Sequence, residues 1–322
     1  MKRKLLLLCL LAFQASLAQV TVSIGYDGQQ LIQGVLIGNP NFPATNFEMM
    51  NGNQYGGPNS IGVFNCTNPS IIPFEDGIIL STGNASGIVG LPTALISTAG
   101  NAWPGDSELE TIAATSDLYN ASSLKFDFIA EVPAISFDFM MASEEYNGTF
   151  ECNFSDIFAF IVTNNSTGVS ENVAVVPGTS TPISISTVNI NPSCSANASY
   201  FAQYNAAGFN GQTVVFVLTG DLTIGDSYTV KIVIADHGDK IYDSALFVRN
   251  SSFGAYPVVD QEPNDLFITD SDADGFEVFD LTSNETLILG PINPEVYSFD
   301  FAYYHTLSDA EAQLNPIPNP QA

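Results

Sequence analysis

The sequence predicts an all-β protein, a β-sandwich or jelly-roll-like main domain followed by a short β-type segment at the C-terminal end. Short runs rich in Val, Ile, Phe and Thr recur along the 322 residues and are separated by clusters of Gly, Asn, Pro and Ser. Apolar and polar residues alternate within several runs, as in strands that bury one face. The runs are too numerous for one small sheet, which favours two layers.

Eight runs are the clearest strand candidates. They are 77–81, 124–128, 134–140, 156–163, 173–176, 213–219, 228–235 and 244–249. Residues 30–37 have apolar residues at helical spacing, and a short helix is favoured over a strand there. The sequence Gly105-Asp106-Ser107 precedes 107–113, which fits either one capped helical turn or part of a long loop.

The first 18 residues predict a secretory signal peptide. Lys2, Arg3 and Lys4 precede an apolar stretch over 5–13, and the small residues of Ser16-Leu17-Ala18 suit a cleavage site. No later apolar run has the roughly 20 residues that cross a bilayer, so the mature chain is not expected to insert into a membrane. We therefore expect a secreted or cell-surface protein.

The mature chain is strongly acidic. After removal of the signal, four basic and 34 acidic residues remain, which gives a formal charge of −30. Such a field repels phosphate backbones, so nucleic acid is not an expected partner, whereas cations and neutral ligands such as glycans are. Solubility in a salty medium is the simpler explanation of the charge.

Three cysteines follow the signal: Cys66, Cys152 and Cys194. In an exported protein this number predicts one disulfide and one leftover thiol. Cys152 and Cys194 are the preferred pair, because both lie in polar connections where a cross-link can pin two loops near an acidic turn. A zinc site is not expected, since the chain has no Cys-x-x-Cys motif and only two histidines, His237 and His305.

The composition changes near the end of the main domain. Residues 255–264 contain prolines and predict a linker, so the main domain spans 19–254 and a second module spans 265–322. The second module is too short to bury a comfortable core alone. The chain is expected to be a fragment of a longer protein.

Five ordered blocks resemble the choice-of-anchor L domain of bacterial surface proteins. The blocks are residues 29–38, 77–83, 143–146 with Cys152 and 155–160, 208–213, and 234–239 running into 243–247. The resemblance implies a secreted or surface-attached β domain that occurs beside varied anchoring signals, without an established enzymatic activity. The tail, from 272–276 to 279–282, resembles a truncated repeat of Bacteroidetes proteins that the type IX system exports, which implies that export route.

Carboxylates at strand ends predict a calcium site in the main domain. One group follows the strand candidate 134–140, and another lies within eight residues after the strand candidate 228–235. The six acids are Glu144, Glu145, Asp156, Asp236, Asp239 and Asp243. Calcium takes about 6 to 8 oxygen ligands, which acidic loops supply with little strain. The alternative is two unrelated, solvated turns, which a chain this anionic also favours.

The tail carries a second candidate calcium loop. Asp270-x-Asp272-x-Asp274-Gly275 reproduces the first six positions of a helical-loop calcium site, but Leu281 stands where the bidentate glutamate belongs. A shorter calcium loop closed by Asp280 and a plain Asp-Gly turn both fit the sequence.

Paired acids also permit a glycosidase, with Glu144 or Glu145 as the acid and Asp156 or Asp236 as its partner, about 5 to 10 Å apart. The side chains of neighbouring strand residues point to opposite faces, so Glu144 and Glu145 can face the same glycosidic bond only if the turn twists them. A serine nucleophile is disfavoured, because no Gly-x-Ser-x-Gly motif occurs.

Four aromatic residues fit a sugar-stacking platform, although aromatic side chains in β proteins are more often part of the core. They are Trp103, Tyr119, Tyr146 and Tyr200.

Taken together, the sequence predicts a non-enzymatic, calcium-supported module for adhesion or for binding a glycan or an extracellular protein. A carbohydrate-active hydrolase and a passive structural spacer are the alternatives.

Overall fold

Two antiparallel sheets form the main domain, which confirms the prediction of an all-β, sandwich-like fold. The computed structural model describes residues 20–39, 42–87, 95–98, 100, 102–148, 150–206, 208–255, 263–270, 274–275, 277–289 and 301–321. The predicted signal peptide and most of the predicted linker lie outside these residues.

The chain crosses repeatedly between the two sheets. The described strands are β1 (Val20–Ser23), β2 (Thr45–Met50), β3 (Ile61–Cys66), β4 (Asp76–Ser81), β5 (Leu118–Ile129), β6 (Ala134–Ser143), β7 (Ile157–Asn164), β8 (Val169–Asn172), β9 (Phe201–Ala206), β10 (Phe209–Thr213), β11 (Phe216–Asp221), β12 (Ser227–His237), β13 (Ser244–Arg249) and β14 (Gly254–Ala255). The larger sheet has the order β1-β3-β4-β13-β6-β10-β9, with β11 and β14 also paired to β6, and the smaller sheet has the order β2-β5-β12-β7-β8.

Aromatic side chains fill the space between the sheets. Phe137 and Phe139 of β6 lie 5.2 and 5.0 Å, centroid to centroid, from Phe160 of β7, so the contact joins the centre of one sheet to the other. All three are completely buried. Burial of one such side chain stabilises the fold by about 1.5 to 3 kcal/mol, and the face-to-face packing fixes how the strand ends meet.

Two strand predictions need correction. Residues 173–176 form no regular strand; Val175 makes one isolated bridge to Pro182, and prolines at 177 and 182 cannot donate the hydrogen bonds that a ladder needs. The predicted run 213–219 is divided between β10 and β11. At the break, the Thr213 hydroxyl accepts a hydrogen bond from the Met141 amide at 3.0 Å, and a side chain thus replaces the backbone pairing.

The helix favoured at 30–37 is confirmed, and of the two alternatives left open at 107–113 the structure has the helical turn. Helix α1 (Gly28–Leu31) has a capping box with Asp27 and continues as a π-helical turn, Ile32–Ile37. Helix α2 (Ser107–Ala113) begins at the N-cap Asp106, whose carboxylate also binds Lys231 of β12 at 2.6 Å. This ion pair fixes the helix to the smaller sheet.

The described residues of the tail differ from the predicted β-type segment. They form a 3-10 turn, Leu281–Asn284, followed by α3 (Glu285–Leu289) and α4 (Leu307–Ala312). The side chains of Asp280 and Thr306 accept hydrogen bonds from backbone amides and cap the 3-10 turn and α4, which favours helical turns over strands. Among the described residues, no helix has the length and apolar character required to cross a bilayer.

Candidate metal centre

Strand pairing brings the six acids of the main domain to one edge of the sandwich. Ser143 of β6 pairs with Ser244 of β13, so Glu144 follows one strand where Asp243 precedes its neighbour, and the Glu144 amide donates to the Asp243 carbonyl at 3.2 Å. In the other sheet, Ala235 of β12 pairs with Ile157 of β7, which places Asp236 beside Asp156. The site therefore joins strand ends from both sheets.

Five of these acids are almost completely withdrawn from solvent. The exposed fractions are 0% for Glu144, 2% for Glu145, 2% for Asp156, 2% for Asp236 and 1% for Asp243. Asp239, in the loop between β12 and β13, is half-buried. Buried carboxylates this dense are unusual, because an ionised carboxylate loses its hydration on burial and needs a compensating partner. We call the six residues the acidic cluster.

Hydrogen bonds satisfy part of the acidic cluster. Glu145 Oε2 accepts from the Asp156 amide at 2.9 Å, and Asp156 Oδ2 accepts from the Ser244 hydroxyl at 2.5 Å. The Asp243 carboxylate accepts from the amide of Thr98 at 3.0 Å and from its hydroxyl at 2.6 Å. These contacts orient three carboxylates and leave other oxygens to be accounted for.

Three buried oxygens of the cluster have no hydrogen-bond partner among the described residues: both carboxylate oxygens of Asp236 and Oε2 of Glu144. The Thr82 hydroxyl is near enough to lower the pKa of Asp236, but it does not meet the geometry of a hydrogen bond. Each unsatisfied buried oxygen destabilises the fold by about 1 to 3 kcal/mol, and more when charged.

Three basic side chains form salt bridges with acids outside the cluster. Lys125 binds Glu48, Lys231 binds Asp106 and Glu108, and Arg249 binds Asp138. Lys240 lies over the Tyr119 ring, with its Nζ 4.5 Å from the ring centroid. Lys125, Lys231 and Arg249 therefore compensate acids outside the cluster.

Burial raises the pKa of each of the five buried acids above its ordinary value, and neighbouring carboxylates raise the pKa of every one except Asp243 further. For Glu145, loss of hydration and the charge of Asp239 raise the pKa to about 7, against the hydrogen bond from the Asp156 amide. Burial and then the charges of Glu145 and Asp236 raise the pKa of Asp156. Burial also raises the pKa of Asp236, and among its neighbours Asp243 contributes most. The cluster thus strongly favours protons or a cation.

The chemistry of the donors fits a hard cation that prefers oxygen, such as calcium. The present arrangement does not itself form a coordination sphere, since no three Asp, Glu, His or Cys side chains among the described residues converge on one point.

Sequence reasoning found the acids but missed the segment that covers them. The amide of Ile96 donates to Glu144 Oε1 at 3.0 Å, and Thr98 binds Asp243. Residues 95–98 form no strand or helix. Ile96 is 48 positions from Glu144 and Thr98 is 145 positions from Asp243, so no local sequence pattern predicts these contacts.

In the tail, the described acids form turns. Asp270 accepts a hydrogen bond from the Gly275 amide at 2.8 Å, and Gly275 has a φ of +83°, a left-handed conformation that glycine adopts easily. Asp280 accepts from the amide of Thr282 at 3.0 Å. Asp274 is exposed, and Asp272 lies outside the described residues. The calcium loop in this segment stays a prediction.

The other candidate residues have mostly structural contacts. Trp103 is buried and donates from Nε1 to the Ala121 carbonyl at 2.7 Å, and Tyr146 is buried with its hydroxyl bound to the Val188 carbonyl at 2.8 Å. Tyr200 stacks on Phe216. His237 lies 3.3 Å from the Thr115 hydroxyl, and His305 is exposed. Burial removes Trp103 and Tyr146 from a sugar-stacking surface.

The predicted disulfide between Cys152 and Cys194 is confirmed, with a Cα–Cα distance of 5.7 Å. It links the 3-10 turn Phe150–Cys152, just after the acidic turn, to the long connection between β8 and β9. Cys66 is the free thiol among the described residues; it is buried, and its Sγ donates to the Asn68 carbonyl at 3.2 Å.

Replacement of Cys152 and Cys194 by serine is expected to lower the free energy of unfolding by about 2 to 4 kcal/mol, because the segment between them regains freedom in the unfolded chain. Denaturant unfolding of the double variant measures this loss. The Cys66→Ser variant is the control, since it removes a buried thiol and keeps the disulfide. Equal stability of the double variant and the wild type would contradict a structural role.

The fold and the site define the class of protein: a β domain of two sheets with loops gathered at one edge. Residues 20–254 match the choice-of-anchor L domain, and the chain belongs to this family. Membership places it among secreted or cell-surface modules. Residues 265–322 match the Flavobacterium inter-domain disulphide bond domain, although this segment of the chain contains no cysteine. The type IX repeat stays a prediction.

Two solved structures resemble the chain weakly. They are the K3 cleaved adhesin domain of Lys-gingipain from Porphyromonas gingivalis w83 and the K2 cleaved adhesin domain of Lys-gingipain. The matches have 10% and 9% identity, cover 63% and 64% of this chain and 89% and 88% of the adhesin domains, and have TM-scores of 0.24 and 0.25. Scores this low support no argument about fold or function. No curated protein is significantly similar to the chain.

Proposed function

We propose that this protein is a non-catalytic binding module for adhesion outside the cell, and that calcium closes its acidic cluster. The observation that carries the calcium proposal is Asp236, which is 2% exposed, has two unpartnered carboxylate oxygens and is surrounded by other carboxylates. A divalent cation neutralises this repulsion and supplies the missing partner at once. The cluster then stabilises the fold and takes no part in a reaction.

Calcium at this position would join the two sheets. Glu144 and Asp243 belong to strand ends of the larger sheet, whereas Asp156 and Asp236 belong to strand ends of the smaller sheet. An ion shared between them would hold the loops at this edge in one arrangement, which preorganises a binding surface and lowers the entropy lost when a partner binds.

Burial argues against a hydrolase at the same acids. The raised pKa of Glu145, about 7, would suit a general acid, but Glu145 and Asp156 are each only 2% exposed. A polysaccharide needs direct access to both carboxyl groups of a glycosidase. The same burial suits a structural ion, which needs oxygen ligands and little solvent.

Calcium is expected to raise the midpoint of thermal unfolding of the full chain by about 5 to 10 °C at a concentration about 100 times its dissociation constant, relative to chelator. The reason is linkage, because the ion binds the folded acidic cluster and finds no assembled site in the unfolded chain. Differential scanning calorimetry measures the midpoint and does not require knowledge of any ligand.

Screening of surface charge is the effect to separate from specific binding. Sodium chloride at the same ionic strength is the matched control, since it screens exposed charges without entering a divalent site. An equal midpoint shift in sodium chloride, or no shift in calcium, would refute the calcium site and favour a passive spacer whose acids only confer charge.

A further inference from the structure

A polar cleft of about 340 Å³ opens directly after the acidic turn. Tyr146, the residue after Glu145 of the acidic cluster, lines the cleft. Cys152 of the disulfide follows the lining residue Glu151, and Cys194 lies two residues after the lining residue Pro192. The cleft is lined by Tyr146, Asn147, Gly148, Glu151, Asn191, Pro192, Tyr204, Asn205 and Asn210. Its composition differs sharply from the acidic cluster, because asparagine and tyrosine dominate.

Glu151 forms a buried polar group in this cleft. It is 1% exposed, and its Oε1 accepts a hydrogen bond from the Tyr204 hydroxyl at 3.0 Å. Its Oε2 is buried without a hydrogen-bond partner among the described residues. Burial raises the pKa of Glu151, while the Tyr204 hydroxyl and the Asn191 amide lower it. The Asn191 amide is near enough to have this effect, but it does not meet the geometry of a hydrogen bond to Oε2. A ligand hydroxyl that reaches Oε2 would supply the missing donor.

The amides of the cleft both donate and accept hydrogen bonds. Asn147 and Asn205 are exposed, and Asn210 is half-buried and donates from its Nδ2 to the Glu144 carbonyl. No lysine or arginine is among the described residues that line the cleft. A phosphate or carboxylate ligand needs donors and positive charge, and an ammonium group needs acceptors alone. A hydroxylated ring needs donors and acceptors together, which is what asparagine amides provide.

Tyr204 adds a flat apolar surface beside these polar groups. Its side chain is 39% exposed, and its ring centroid lies 4.7 Å from that of Phe201, which supports it from within the protein. An exposed, supported aromatic ring next to hydrogen-bonding groups suits the face of a sugar ring, which carries C–H groups on one side and hydroxyls at its edge.

We propose that this cleft binds a neutral glycan, with Tyr204 against a sugar face and with Glu151 and the asparagine amides on its hydroxyls. The proposal rests on the proposed function, since it names the partner of the binding module. The two sites are physically linked: the Asn210 Nδ2 donates to the Glu144 carbonyl at 2.8 Å, and 146–148 continue the turn that begins with Glu144. Calcium at the acidic cluster would therefore hold one wall of the cleft.

Isothermal titration calorimetry of the full chain in calcium tests the proposal with neutral oligosaccharides of glucose, mannose, galactose, xylose or N-acetylglucosamine. At least one is expected to bind. Tyr204→Ala should weaken that binding about tenfold or more, because it removes the stacking surface. Tyr204→Phe keeps the ring and removes only the hydroxyl that donates to Glu151 Oε1, so it should weaken binding less than Tyr204→Ala does. Tyr55→Ala is the matched control, since Tyr55 is 37% exposed and lies outside the cleft.

The outcomes separate this proposal from the calcium proposal. A calcium-dependent midpoint shift with no binding of any neutral oligosaccharide overturns the glycan cleft and leaves the calcium site standing. Binding that Tyr204→Ala does not weaken, in a variant that unfolds at the wild-type midpoint, also overturns it, as does binding of an oligolysine peptide alone. Oligosaccharide binding that depends on Tyr204 without any calcium response supports the cleft and refutes the calcium site.

Discussion

The calcium-free protein is expected to lose stability as the pH rises from about 4.5 to about 7, opposite to the usual behaviour of a protein with paired carboxylates. Glu145 is the reason. Its pKa rises from 4.5 to about 7 in the folded state, so loss of its proton is harder in the folded chain than in the unfolded chain. The stability linked to this group is complete below pH 4.5 and is lost as the pH passes through about 7.

The size of this effect follows from the two pKa values. A difference between 4.5 and about 7 corresponds to about 3 kcal/mol lost above both values. The raised pKa values of Asp156 and Asp236 act in the same direction. Calcium reverses the slope, because the ion binds the ionised carboxylates and competes with protons, so its stabilisation grows as the pH rises.

Denaturant unfolding in chelator and in calcium, at several pH values across this window, measures both slopes. Glu145→Gln should flatten the slope in chelator, since glutamine does not titrate. Glu171→Gln on the exposed strand β8 is the control for general repulsion in an acidic chain. A stability in chelator that increases over the same window would show that the cluster is not a source of repulsion.

The fold was predictable from local patterns, and the errors have local causes. Runs rich in Val, Ile, Phe and Thr identified β6, β7, β12 and β13, because these central strands bury long apolar stretches. The edge strands β1 and β9 were missed, because β1 is only four residues long and β9 contains only one such residue. The error at 173–176 arose because four apolar residues were weighed without the prolines at 177 and 182, which deny the segment a ladder.

The sequence predicted which acidic residues lie at strand ends, but it did not predict how they are arranged in the site. The sequence placed Glu144 and Asp243 after and before strands, but 98 residues separate them, and their proximity depends on β6 pairing with β13. Burial also escaped prediction, since acidic loops are normally solvated. The covering segment 95–98 and the cleft at Glu151 required the assembled fold, because their contacts join distant segments without a repeating pattern.

Asp236→Asn is expected to stabilise the calcium-free protein by about 2 to 4 kcal/mol above neutral pH and to remove most of the stabilisation by calcium. The variant removes a charge that is 2% exposed and lies near Asp243, Glu145 and Asp239. The new amide donates hydrogen bonds to these carboxylates in place of repelling them. A calcium ion, in contrast, loses an anionic ligand that is already free of hydrogen bonds among the described residues.

This opposite response is what distinguishes a metal-binding acid from an ordinary buried polar residue. Thermal unfolding of the variant in chelator and in calcium measures both effects, and Asp221→Asn, at an exposed position of β11, is the control for a change of net charge alone. If Asp236→Asn destabilises the protein equally in both conditions, then Asp236 contributes through a local contact such as that with Thr82. The acidic cluster would then be held together by protons, and calcium would have no part in its stability.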